Sequence, residues 1–169
     1  MIVRLVLTAL ALLACVPAVS AAAAENPRWT VSAAERPAIE AVIEQFRLAI
    51  IAKDGPALSD LLINSKIVFN RLADQAGIDE ARKSDRHYDG LGNSGFSAFA
   101  RSVTQAKGTV EERFHNIRIE QDGPLALVTF DFDYLEDGKI ENRGLEHWML
   151  RKIDGQWKIF SVVWTSRGD

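Results

Sequence analysis

The tightest constraint on this chain is the punctuation of its C-terminal half. Asp122-Gly123, Asp137-Gly138 and Asp154-Gly155 separate the runs 110–120, 125–134, 139–153 and 157–166, where apolar and polar residues alternate. Asp-Gly readily adopts the positive φ of a tight hairpin turn, and a period of two is the signature of a strand. Four such strands on short turns form an antiparallel meander, because a parallel pair needs a long crossover.

The preceding half runs on a different period. Ile39, Val42, Ile43, Phe46 and Ile50 recur at i, i+3, i+4, i+7 and i+11, the apolar stripe of a helix. Ser32 and Glu35 fit a capping box, and Pro37 makes Arg36 an equally good start. Gly55 ends this helix. Pro56, Leu58, Leu61 and Leu62 predict a second, short one. Ile67, Val68 and Phe69 predict a strand within 66–72. The polar stretch 73–93 reads mostly as loop. Phe96, Phe99, Ala100 and Val103 predict a third helix, stopped by Gly108. The expected class is α+β, with three N-terminal helices packed on a curved antiparallel sheet.

The 169 residues are 47% apolar and 25% charged, enough for one globular domain. Twenty Lys and Arg against 23 Asp and Glu give a net charge of −3, which excludes nucleic-acid binding driven by phosphate contacts. A single cysteine excludes a disulfide framework within the chain and a cysteine-built zinc site. Met1 to Ala24 reads as a secretory signal. Arg4 leads an apolar run over 5–16, Pro17 ends it, and small residues before Ala21 and Ala24 suit cleavage. Leu12-Leu13-Ala14-Cys15 is a competing lipobox, with Cys15 as the acylated residue. The organisation expected is a signal over 1–24, a linker over 25–31 and a domain over 32–169. The location expected is periplasmic or secreted, with no membrane span once the signal is gone.

Leu145-Glu146-His147-Trp148 and Asp154-Gly155-Gln156-Trp157-Lys158-Ile159, together with Ile39 to Phe69, carry a family resemblance. The chain resembles the nuclear transport factor 2-like (NTF2-like) superfamily, in its SnoaL-like and ketosteroid-isomerase-like members. The resemblance implies a cone whose sheet wraps around helices and leaves an apolar pocket, often in a homodimer. Members include isomerases, cyclases, dehydratases, epoxide hydrolases, binding proteins and assembly modules, so the fold does not fix the activity. Laid without gaps on the ketosteroid-isomerase pattern, the tyrosine position falls on Phe46, the base on Asn70 and the oxyanion acid on Glu146. Phe46 has no hydroxyl and Asn70 cannot take a proton near neutral pH. Only Glu146 keeps its chemistry, as a non-standard acid.

Two-residue turns would put Thr129, Asp131 and Asp133 on one sheet face with Glu146, Trp148, Leu150, Trp157, Ile159 and Ser161. Acids among tryptophans suit a ligand pocket, and burial would raise their pKa. The competing reading places Asp131, Asp133 and Glu146 at strand ends, in water or paired with Arg143. A one-residue bulge would swap the faces. The opposite face, with Phe130, Phe132, Tyr134, Leu145 and Met149, is also partly apolar, which predicts a homodimer.

Other motifs carry less. Gly90, Gly92 and Gly95 spell a G-x-G-x-x-G, but 81–89 is too charged for the buried strand a dinucleotide site requires; the segment reads as a lid loop. His87, His115 and His147 lack metal-ligand spacing, so no metal and no cofactor is expected. Arg71 reads as a surface ion-pair former and Trp29 as a plug on the domain.

The function expected is a pocket for a small apolar or aromatic molecule among Phe46, Phe69, Asn70, Phe96, Phe99, Asp131, Glu146 and Trp148. One alternative is an isomerase, cyclase or dehydratase working through Glu146 or Asp131. Another is a scaffold whose outer sheet face binds an envelope protein.

Overall fold

The computed structural model describes residues 29–92 and 95–167. The reading of 1–24 as a signal therefore lies outside the described residues. Four helices and five strands follow in the order α1 (Arg36–Ala52), α2 (Gly55–Asp60), β1 (Val68–Leu72), α3 (Gln75–Ala81), α4 (Gly95–Gln105), β2 (Val110–Asp122), β3 (Leu125–Glu136), β4 (Lys139–Ile153) and β5 (Gln156–Thr165).

The class is α+β, as expected, but the helices depart from the expected three. Residues 75–81 form α3, whose Asp74 side chain accepts from the Gly77 amide at 2.8 Å. None of its residues is buried, so it leaves no apolar stripe to read. Both α3 and α4 follow the first strand. The sheet is also mixed: in the order β1-β5-β4-β3-β2, β1 runs parallel to β5 and the other pairs are antiparallel.

Local chemistry sets the elements. Helix α1 starts at Arg36 with Pro37 in its first turn, and it buries Ile39, Val42, Ile43, Phe46, Ala49 and Ile50. Lys53 ends it in the left-handed region, and the Asp54 side chain caps α2 by accepting from Ala57 N at 2.9 Å. Asp137-Gly138 and Asp154-Gly155 are two-residue turns with both residues at positive φ, the geometry that matches strand twist. Between β2 and β3 the turn pair is Gly123-Pro124, since Asp122 still pairs with Leu125.

Three irregularities bend the sheet. Asn116 and Ile117 face one residue of β3, Glu141 is extra between β3 and β4, and Phe160 is extra between β4 and β5. Each bulge raises the twist and shifts side-chain parity by one. The sheet therefore curls around α1 and α4, and the expected faces are re-phased. Val128 pairs with Trp148, and Phe130 with Glu146. The inner face holds Val128, Phe130 and Phe132, not Thr129, Asp131 and Asp133. On β5, Val162 is buried on this face in place of Ser161.

Trp148 is 1% exposed at the centre of this face. Its ring meets Phe46, Phe114 and Phe130 edge-on at centroid distances of 4.9, 5.8 and 5.1 Å, the arrangement favoured by the aromatic quadrupole. Gly144 lies near the end of the same face. A Cβ there would run into the Thr165 carbonyl and press on the Phe132 ring. Gly144→Ala is accordingly expected to cost about 2 kcal/mol. The urea midpoint measures this, and an unchanged midpoint would show that the β5 end yields freely.

Candidate functional site

The curl of the sheet leaves a cavity of about 200 Å3 between the inner face, α1 and α4. Cross-strand rows build its sheet wall. Glu112, Tyr134 and Asn142 form one row across β2, β3 and β4, followed by Phe114, Phe132 and Gly144. Glu146 pairs with Phe130 on one side and Trp164 on the other. Gly144, between Asn142 and Glu146 on β4, takes no part in the lining, and the Thr165 carbonyl and the Phe132 ring fill the space its side chain would need. From the helical side come Phe46 of α1, Phe99 and Ser102 of α4, and from β1 comes Phe69. Phe46 and Phe99 stack at 5.9 Å, and Phe69 meets Phe99 at 5.0 Å and Trp164 at 5.2 Å.

Two carboxyls are buried here: Glu112 and Glu146 are each 5% exposed. The Trp148 indole Nε1 donates to Glu146 Oε1 at 2.7 Å. Desolvation raises the Glu146 pKa to about 7, against the opposing effect of this hydrogen bond. Burial pushes Glu112 well above the usual carboxylate range, and the neighbouring Glu146 adds to the rise. Tyr134 is pushed up to about 12 by burial, then by Glu136 and Glu112. Among the described residues, no cation lines the cavity.

The residues expected at the site divide. Phe46, Phe69, Phe99 and Glu146 line the cavity. Phe96 stands behind Phe69 at 5.7 Å. Trp148 belongs to the core beneath the cavity and reaches it only through Glu146. Asn70 does not line it; oriented to satisfy its neighbours, the Asn70 amide donates to Gly92 O at 2.9 Å. Asp131 is a correction. The bulge at Glu141 turns it to the outer face, where it is exposed and accepts from Asn116 Nδ2 at 2.7 Å.

Sequence reasoning missed Glu112, Tyr134, Asn142 and Trp164. A signal for Glu112 was present: it shares parity with Val110 and Phe114, an acid in an apolar row. The histidines lie elsewhere. His115 faces Asp133 at 3.1 Å, His147 faces Thr129 at 3.0 Å, and His87 is exposed beside Arg86. Among the described residues, no group of three or more His, Cys, Asp or Glu is placed to hold a metal ion.

Solved structures share this architecture. An NTF2-like protein of unknown function from Shewanella baltica superposes with a TM-score of 0.59 at 15% identity, over 83% of this chain and 99% of its own. An NTF2-like protein from Pseudomonas putida gives 0.59 at 17% identity, over 83% and 92%. A candidate scytalone dehydratase from Novosphingobium aromaticivorans gives 0.57 at 14% identity, over 79% and 85%. No family model and no curated protein matches the sequence. The chain has the fold of the NTF2-like superfamily. At these identities the likeness defines the fold, and the chemistry has to be argued from the cavity.

The buried acids make stability depend on pH. A raised carboxyl pKa means that the folded state holds its proton more tightly than the unfolded chain does. That stabilisation is complete below the ordinary value of 4.5 and is lost as pH rises through about 7. Glu35, Glu44 and Glu111 are lowered instead, so their contribution is lost only below 4.5, outside this window. The Tm is expected to be roughly 5 °C or more higher near about pH 5 than near about pH 8. In the double variant Glu112→Gln/Glu146→Gln, melting curves should become flat between the two.

Proposed function

We propose that this chain is a pocket protein that takes one small apolar or aromatic molecule between its helices and its sheet. The observation that supports this is the cavity itself. Six rings (Phe46, Phe69, Phe99, Phe132, Tyr134 and Trp164) surround about 200 Å3, with buried carboxyls among them. An apolar cavity of roughly 150 Å3 accepts a benzene-sized molecule, so a one-ring or small two-ring ligand fits. A few polar groups among apolar walls is the usual composition of such a site. The proposal includes a protein exported to the periplasm or beyond, and a second copy covering the outer face. Leu127, Leu145 and Met149 are exposed on that face at 36, 38 and 42%.

One native mass spectrum of gently purified protein tests all three parts. The expected species is a dimer whose chains begin after Ala21 or Ala24, with one retained small molecule per chain. A monomer would remove the second copy. An unprocessed N-terminus would remove export. A chain that stays empty in the presence of millimolar 1-naphthol would remove the pocket reading.

A second reading, an isomerase- or dehydratase-like enzyme, is favoured by one observation. Glu146 lines the cavity with a pKa of about 7, the range in which a carboxyl serves as acid or base. It also fits the dehydratase assignment of the Novosphingobium neighbour. For any substrate that turns over, Glu146→Gln is expected to lower kcat by about a hundredfold or more. An unchanged kcat would take Glu146 out of the chemistry.

A further inference from the structure

The charge balance of the cavity goes further than its shape. Among the described residues that line it, three are glutamates (Glu112, Glu136 and Glu146) and none is Lys, Arg or His. Glu112 is the least accommodated. It is 5% exposed, and among the described residues its carboxyl makes no hydrogen bond and no ion pair. No fully occluded side-chain oxygen or nitrogen lacks a partner among the described residues, so the Glu112 carboxyl opens onto the cavity. Among the described residues, the Glu146 carboxyl receives one hydrogen bond, from Trp148 to Oε1, and Oε2 has no donor of its own. A buried carboxylate is costly unless a cation or several donors meet it. The protein supplies neither to Glu112.

The rings around these acids offer the complementary half. Aromatic faces attract ammonium groups, most strongly where water is excluded. A neutral ligand with one acceptor atom would engage one protonated carboxyl and leave the other unmatched. A cation meets both carboxylates at once and also uses the rings. We propose that the cavity takes a small organic ammonium ion, its charge shared by Glu112 and Glu146 and its apolar or aromatic body against Phe46, Phe99 and Trp164. This rests on the reading of the cavity as a ligand pocket. On binding, the carboxyls give up their protons to solvent as the ammonium takes their place.

The test compares benzylammonium with benzyl alcohol, its neutral counterpart of the same size, by titration calorimetry on the whole chain. On β3, Tyr134 and Glu136 are the titratable groups that line the cavity with the two acids. β4 adds Asn142, and α1, α4 and β5 add only uncharged side chains. Benzylammonium stays protonated from about pH 5.5 to about pH 8, so a change in its affinity across this range reports the carboxyls. Its affinity is expected to rise about tenfold or more across that range, with proton release visible as a buffer-dependent heat. Benzyl alcohol should bind about tenfold or more weakly at the upper pH. The double variant Glu112→Gln/Glu146→Gln, which keeps shape and removes charge, should lose both the preference and the pH dependence.

Benzyl alcohol binding as well as benzylammonium, or better, would overturn the ammonium proposal and leave the pocket reading standing. If neither probe nor 1-naphthol binds, both fall. Tight ammonium binding that survives in the double variant would place the cation outside this cavity and also overturn the proposal.

Discussion

The bending of one sheet governs everything else in this molecule. Hairpins closed by two-residue turns would give a regular ribbon with one side-chain parity throughout. The extra residues at Asn116-Ile117, Glu141 and Phe160 break that regularity, each on a different strand pair. The twist they add folds the sheet over α1 and brings Glu112 of β2 into the same cavity as Trp164 of β5, although β3 and β4 lie between them. The parity they shift decides which acids are inside. Glu112 and Glu146 are turned in, Asp131 and Asp133 out.

Within that frame the polar groups fall into two environments. On the outer face, Asp133 stands beside His115 and Arg143, in contact with water, where ion pairs contribute little to stability. On the inner face the carboxyls of Glu112 and Glu146 have no cation beside them among the described residues and are surrounded by rings. The core supports this placement from below: Trp148, held by Phe46, Phe114 and Phe130, fixes the indole that fixes Glu146. The acid is thus positioned by packing, and its geometry is as rigid as the core.

Much of the architecture was legible in the residues. The stripe of α1 and the three Asp-Gly pairs gave the helix and the meander, because both rest on strong local periodicities. The exposed helix α3 escaped, since it buries nothing and is announced only by its Asp74 cap. The parallel strand β1 was legible as a strand, but its pairing is a long-range choice with no local signal. The site was legible only in part. Phe46, Phe69, Phe99 and Glu146 sit on elements whose facing follows from their own period. Asp131 was misplaced because a single inserted residue, Glu141, leaves no mark on hydropathy. Glu112 was overlooked because an acid in an apolar row passes for a surface residue until the row is seen to face inward.

The short bridge between Thr30 and Glu120 has a geometric consequence. It fastens the chain ahead of α1 to the far end of β2, eight residues along that strand from Glu112. At the rise of a strand this is roughly 25 Å of strand length. The entering chain and the cavity therefore meet β2 at separate places along its length. Tension on the chain ahead of α1 would thus reach β2 first at Glu120.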